Sequence, residues 1–231
     1  APAWTVPCGS GFAGVALAEG KVVLFHRQGG EEIIAVYDAA SGTPVWSKNY
    51  PCDYQASIVE DDGPRAVPTI HQGRVITFGV AGRLSCLQLK DGSINWSRDT
   101  HQEFKAPAGY FGAGSAPLVE GTHVIVNVGG PNGAGVVAFD LQSGKTAWKA
   151  TDELASYAAP IAHTLQGKRR VLMITRLNFL GLDPEDGKEV FRIPFGARGP
   201  TVNGALPVFV ADHVLLTASY GVGAKLVHLG A

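Results

Sequence analysis

The densest group of side chains able to do chemistry is the run Asp61-Asp62-Gly63-Pro64-Arg65, two carboxylates and a guanidinium inside five residues. Paired carboxylates can hold a hard cation, but calcium takes about 6 to 8 oxygens. The sequence does not assemble such a set, and a solvated turn ahead of Gly63-Pro64 explains the pair equally well. Seven histidines, at 26, 71, 101, 123, 163, 213 and 228, never occur as HxH or HExxH, the spacings that place two imidazoles on one ion. Ala113-Gly114-Ser115-Ala116-Pro117 lacks the outer glycines of a nucleophile elbow. Gly129-Gly130-Pro131-Asn132-Gly133-Ala134-Gly135 has the glycines of a phosphate loop without the Lys-Ser/Thr that follows one, and reads as a hairpin loop. Asn95-Trp96-Ser97 matches the glycosylation pattern but surrounds an aromatic with a structural role. No catalytic residue and no metal ligand is assigned.

Three cysteines, Cys8, Cys52 and Cys86, are too few and too widely spaced for a disulfide framework or a zinc knuckle. Cys86 alternates with apolar neighbours and reads as a small buried hydrophobe. Cys8 and Cys52 lie in Gly- or Pro-containing connections and could pair.

The elements that must position any site follow from composition and then from periodicity. The chain has 231 residues with 30 Gly and 14 Pro, 45% hydrophobic and only 17% charged residues. This is a compact, turn-rich and strand-rich composition rather than a disordered or helical one. With 19 basic against 20 acidic residues, no global field attracts nucleic acid or an anionic membrane. The basic cluster Lys168-Arg169-Arg170 reads as a solvated hairpin tip. No window of eighteen apolar residues spans a bilayer, and Ala1-Pro2-Ala3-Trp4 is not a signal peptide. Only residues 152–166 have helix-friendly composition, and Pro160 interrupts them.

A repeat organises the rest. Val36-Tyr37-Asp38-Ala39-Ala40-Ser41-Gly42-Thr43-Pro44-Val45-Trp46 recurs as residues 86–96, 138–148 and 181–191, so the aromatic falls at Trp46, Trp96, Trp148 and Phe191, with Trp4 preceding the series. Each copy ends one strand, turns through Gly42, Gly92, Gly144 or Gly187, and starts the next strand. Asp38, Asp140 and Asp183 serve that turn. A second marker opens each unit: Pro68, Pro117, Pro160 and Pro207 each precede a short strand, as a residue without an N–H must at an edge or strand start. Four short antiparallel strands per 43 to 52 residues make one blade of a β-propeller. Leucine-rich and hexapeptide solenoids repeat faster, and helical solenoids need a 3.6-residue period that is missing.

At these residues the chain resembles the pyrroloquinoline-quinone (PQQ)-like propeller repeat family, whose units carry Ala-x-Asp-x-x-Thr-Gly-x-x-x-Trp; Ala138-Phe139-Asp140, Ser143-Gly144 and Trp148 match with Ser for Thr. The resemblance implies that Trp4, Trp46, Trp96, Trp148 and Phe191 dock each blade onto its neighbour, Phe191 without an indole N–H. Units near 5–50, 51–100, 101–150, 151–195 and 196–231 then form one propeller domain over 1–231: four complete blades and most of a fifth. The expectation is part of a seven- or eight-bladed ring, with a closed five-bladed ring as the alternative.

The family includes quinoprotein alcohol dehydrogenases, scaffold lipoproteins of outer-membrane assembly, and cofactor-free exported proteins. A dehydrogenase would need an acid or amide cluster for calcium, a catalytic Asp and, commonly, an adjacent Cys-Cys pair, which is missing here. The resemblance therefore implies a non-catalytic bacterial protein, periplasmic or secreted, acting as a scaffold or binding module for a protein or small polar ligand. It expects no cofactor; PQQ with calcium belongs to the alternative, a quinoprotein oxidoreductase. Because first strands line a propeller's axial channel, the residues just before each proline are the candidate ligand contacts: Arg65, Ser115, Tyr157 and Asn203, with Asp62 and Tyr110 nearby. A guanidinium there would need an anionic partner, either a ligand or Asp61 and Asp62.

Overall fold

The computed structural model describes residues 2–199 and 201–229. Those residues are all-β apart from one short helix: nineteen strands in five antiparallel sheets, each a meander of sequence neighbours. They are the blades of a β-propeller, four of four strands and a last of three. Strands cluster into two compact units, one of the residues up to Pro117 with the turn Leu141–Gly144, the other of Leu118–Asp140 and the residues from Lys145 on.

The first unit holds two blades: β1 (Ala16–Ala18), β2 (Lys21–Gln28), β3 (Glu31–Asp38) and β4 (Pro44–Pro51), then β5 (Thr69–His71), β6 (Arg74–Phe78), β7 (Arg83–Gln88) and β8 (Ile94–Asp99). Between them Val23, Phe25, Ile34 and Val36 pack on Val75, Leu87 and Leu89. Helix α1 (Thr100–Phe104) follows, capped by Asp99 accepting from the Gln102 amide and ended by Lys105 in the left-handed region. It lies outside residues 152–166, where composition favours helix; that stretch instead enters a strand.

The second unit holds β9 (Leu118–Glu120), β10 (His123–Asn127), β11 (Val136–Asp140) and β12 (Thr146–Ala150); β13 (Ile161–Leu165), β14 (Lys168–Ile174), β15 (Asn178–Leu182) and β16 (Glu189–Pro194); and β17 (Val208–Val210), β18 (His213–Ala218) and β19 (Gly223–His228). Alternation decides where β14 packs. Val171 and Met173 face Ile125, Val136 and Trp148, while Leu172 and Ile174 face Phe179, Val214 and Leu216. Both faces of that sheet are thereby dry.

The two sequence markers sit where backbone chemistry requires them. Strands begin directly after Pro68, Pro117, Pro160 and Pro207, each at the edge of its sheet. In every complete blade the third and fourth strands slip register at one repeat position, after Val36, Cys86, Ala138 and Gly181. The turn that follows carries glycine at φ 71°, 70°, 68° and 72° for Gly42, Gly92, Gly144 and Gly187. Asp38 Oδ1 accepts from the Ala40 and Ser41 amides, and Asp183 Oδ1 from Glu185, inside those turns.

An indole lies over each of these glycines. A Cβ on Gly42 would meet the Trp4 ring at 2.6 Å, on Gly92 the Trp46 ring at 2.7 Å, on Gly144 the Trp96 ring at 2.5 Å, and on Gly187 the Trp148 ring at 2.4 Å. The same indoles donate to the turn carbonyls of Ala39 (3.1 Å), Leu89 (2.7 Å), Leu141 (3.0 Å) and Pro184 (3.0 Å). Phe191 behaves otherwise: its ring covers Gly181 of its own sheet, 5.4 Å from Phe179.

Two local expectations change. Residues 168–170 are not a free hairpin tip, because the turn is Gln166-Gly167 and Arg169 and Arg170 pair with Glu120 and Asp183, both at 2.7 Å. Cys8, Cys52 and Cys86 are all free thiols, Cys8 exposed and the others buried.

Trp96→Ala and Trp148→Ala should each cost about 3–5 kcal/mol, the range for truncating a buried Trp. Trp148→Phe, which keeps an aromatic ring but loses one hydrogen bond and part of the bulk, should cost less than the Ala change, about 1–3 kcal/mol. Urea denaturation of the three variants checks this ordering; equal losses for Phe and Ala would remove packing as the cause.

Candidate functional site

The acidic-basic run of the first unit lies in the connection between β4 and β5, and its polar groups are turned on the main chain of that connection and of Gly11. Asp61 accepts from the amides of Gly11 (2.9 Å) and Gly63 (2.8 Å), and Asp62 Oδ1 from Ala56 (2.6 Å). Arg65 donates to the carbonyls of Asp61 (2.7 Å) and Gly63. Its guanidinium lies 5.4 Å from the Phe12 ring and 5.9 Å from the Tyr54 ring, with the Asp61 carboxylate 4.0 Å away. It is therefore held between aromatic faces and main-chain carbonyls, its charge only weakly met by Asp61. Ser115 is buried, and Tyr110 is half-buried.

Arg27 anchors this connection from β2. Its guanidinium is 9% exposed and donates to three carbonyls, Cys52 (2.6 Å), Tyr54 (2.6 Å) and Asp62 (3.0 Å). Around the braced loop the apolar side chains of Phe12 (65%), Val15 (55%) and Ile58 (56%) face solvent, and the amides of Phe12 and Ala13 both donate to Pro64 O.

Beside Arg27, β3 carries a fully buried carboxyl, Glu32. One oxygen accepts from the Val80 amide at 2.8 Å. The other and the Tyr50 hydroxyl lack well-formed hydrogen bonds and crowd Gly79, where a Cβ would come within 2.2 and 2.5 Å of them. Arg83 lies 4.4 Å over the Tyr50 ring. Burial raises the Glu32 carboxyl above its usual range, against the Val80 hydrogen bond, the adjacent Tyr50 hydroxyl and the nearby Arg27 and Arg83 charges. Tyr50 is likewise pushed up, first by burial and then by Glu32. A shallow groove of about 340 Å³ on the same blade is lined by His26, Ile33, Tyr37 and Trp46; burial lowers the His26 pKa.

In the second unit, Asn203 is 2% exposed. Its amide donates to the carbonyls of Thr175 (2.9 Å) and Arg176 (3.2 Å), and its backbone N–H to Ser156 Oγ (2.7 Å). Its carbonyl accepts from Ser156 Oγ and from the amides of Tyr157 and Ala158. The structure thus brings Tyr157 and Asn203 together through main chain, and Arg65 and Asp62 within one loop. Arg27, Glu32 and Ser156 are the residues that sequence reasoning passes over. The first two carried a signal, since a charge inside an apolar alternating strand must be paired or hydrogen-bonded; Ser156 carried none.

The family model described as outer membrane protein assembly factor BamB matches residues 30–227. The chain belongs to that family of PQQ-like propellers. BamB from Moraxella catarrhalis superposes with TM-score 0.65 at 20% identity, covering 94% of this chain and 57% of that one. A europium-containing methanol dehydrogenase gives 0.65 at 12% identity, covering 93% and 56%. A quinohemoprotein alcohol dehydrogenase from Comamonas testosteroni gives 0.62 at 14%, covering 96% and 40%. In sequence, 127 residues are 29% identical to quinohemoprotein alcohol dehydrogenase ADH-IIG of Pseudomonas putida, 54% of this chain and 17% of that protein. The chain thus spans about half of these structures and a sixth of that relative. Among the described residues no helix is long and apolar enough to cross a membrane.

The acid pair of the first unit does not fit the calcium of a quinoprotein. Asp61 and Asp62 each have an oxygen committed to backbone amides of the loop, leaving far fewer than the roughly 6 oxygens the ion takes.

The direction of the Glu32 shift sets a pH dependence. Below the ordinary value of 4.5 the carboxyl is protonated in both states and its contribution to stability is fully present. As pH rises through the elevated folded pKa, the unfolded chain ionises first and stability falls. Chemical denaturation across this range should show that decline in the wild type and a flatter profile in Glu32→Gln; an unchanged profile would assign the titration elsewhere.

Proposed function

We propose that this chain is a non-catalytic propeller module of an exported bacterial protein, periplasmic or secreted, that serves as a scaffold contacting another protein. The observation that carries the reading is the loop joining β4 and β5. Its Asp61, Asp62 and Arg65 are committed to main-chain groups, and Arg27 of β2 braces it through the Tyr54 and Asp62 carbonyls, while Ile58 of the loop and Phe12 and Val15 of the segment before β1 are left in solvent. A loop rigid inside and apolar outside suits protein contact. The likeness to a BamB structure, an assembly factor by its family description, supports the same reading.

A photo-crosslinking amino acid at position 12, in protein exported to a bacterial periplasm, should trap a discrete partner, and at exposed Lys168 should not. Equal labelling at both positions, or none at position 12, would count against the scaffold.

The 29% identity to a quinohemoprotein alcohol dehydrogenase favours a second reading, a quinoprotein oxidoreductase using PQQ and calcium. Adding both separates the two: the scaffold expects neither quinone absorbance held by the protein nor dye-linked alcohol oxidation. Either signal would establish the enzyme instead.

A further inference from the structure

The fifth blade departs from the repeat at two positions, Asp212 and His228, which converge in space with His213. In three of the other blades the first residue of the second strand meets the last residue of the third as a basic group against an acid or amide, and in the fourth Arg170, two residues into β14, plays that part against Asp183, just after β15. Lys21 faces Asp38 (3.5 Å), Arg74 faces Gln88, His123 faces Asp140, and Arg170 pairs with Asp183 at 2.7 Å. In the fifth blade both partners are histidines, His213 opposite His228. The tight turn before that strand has Gly20, Gly73, Thr122 or Gly167 as its second residue elsewhere, and Asp212 here.

The consequence is a compact donor set. Asp212 Oδ1 lies 2.6 Å from His213 Nδ1, and Oδ2 lies 2.7 Å from His228 Nε2. The two imidazole rings are 4.9 Å apart. All three donor atoms lie within 4.8 Å of one another. Zinc binds imidazole nitrogen and carboxylate oxygen at about 2.0–2.2 Å, so small side-chain rotations bring the three onto one ion. The scaffold beneath is ordered: Ala211 takes φ 53°, and the Leu229 amide donates to Asp212 O at 2.9 Å, closing the turn over the end of β19.

We infer that Asp212, His213 and His228 form a binding site for a divalent transition-metal ion, with zinc, nickel or copper as the matching class. Each imidazole binds the ion through the nitrogen that faces Asp212. Imidazole and carboxylate donors suit those metals, whereas calcium and magnesium prefer all-oxygen sets. The three side chains are 43%, 46% and 54% exposed for His213, His228 and Asp212, so water completes the coordination.

Isothermal titration of chelator-stripped protein with Zn²⁺ should give one ion per chain and no heat with Ca²⁺. His213→Ala, His228→Ala and Asp212→Asn should each weaken zinc binding at least about ten-fold, the lower end of the loss seen even for indirect ligand supports. His71→Ala, in a different blade, should leave it unchanged. Zinc X-ray absorption should report two imidazoles per ion. Circular dichroism of each variant separates lost ligation from lost folding, since these exposed changes should leave the fold intact. Zinc affinity retained in the His213→Ala/His228→Ala double variant, or a coordination shell without two imidazoles, overturns the site.

Discussion

An aromatic ring laid flat on a glycine is the contact from which the rest of this molecule follows. A residue with a Cβ is excluded twice at Gly42, Gly92, Gly144 and Gly187. The backbone there has positive φ, and the space a side chain would take is filled by an indole. The indole nitrogen then donates to a carbonyl of the same turn, so one side chain satisfies packing and hydrogen bonding together. Because the turn's geometry is fixed by the register slip just before it, the strands on either side inherit their positions from this contact. Phe191, at the same place in the repeat, lies over Gly181, its cross-strand partner.

Buried charge is handled differently in different parts of the chain. Arg27 discharges its guanidinium onto three carbonyls and turns an irregular connection into an ordered one. Glu153, by contrast, accepts from the Leu177 amide, the Thr175 hydroxyl and the Asn178 amide group while pairing with Arg192 at 3.0 Å. Glu32 accepts from the Val80 amide alone, and its burial raises its pKa above the usual carboxylate value. Glu32 and Glu153 thus differ in the number of donors offered to them, one amide against four groups.

How much of this could be read from the sequence depends on whether a residue's role is local. The turn glycines, the strand-opening prolines and the turn aspartates mark backbone states within a few residues, and the propeller class follows from their spacing. Arg65 and Asn203 stand at recognisable places in the repeat, but their partners are carbonyls brought up by loop closure, which no spacing discloses. The helix at Thr100–Phe104 is a single turn made by the Asp99 cap, too short to leave a period. His213 and His228 are 15 residues apart, outside any metal motif, and meet only because β18 and β19 pair antiparallel.

The four indole-to-carbonyl contacts close chain segments of 35, 43, 45 and 36 residues. Loop-closure entropy grows only as the logarithm of length, so these closures differ by about 0.2 kcal/mol. No contact is favoured by chain length, and none waits for a distant terminus. Each can form once roughly one further blade has been synthesised. Each seam is thus a closure between neighbouring blades that depends on no other, as in a repeat array whose stability is a sum of local and nearest-neighbour terms.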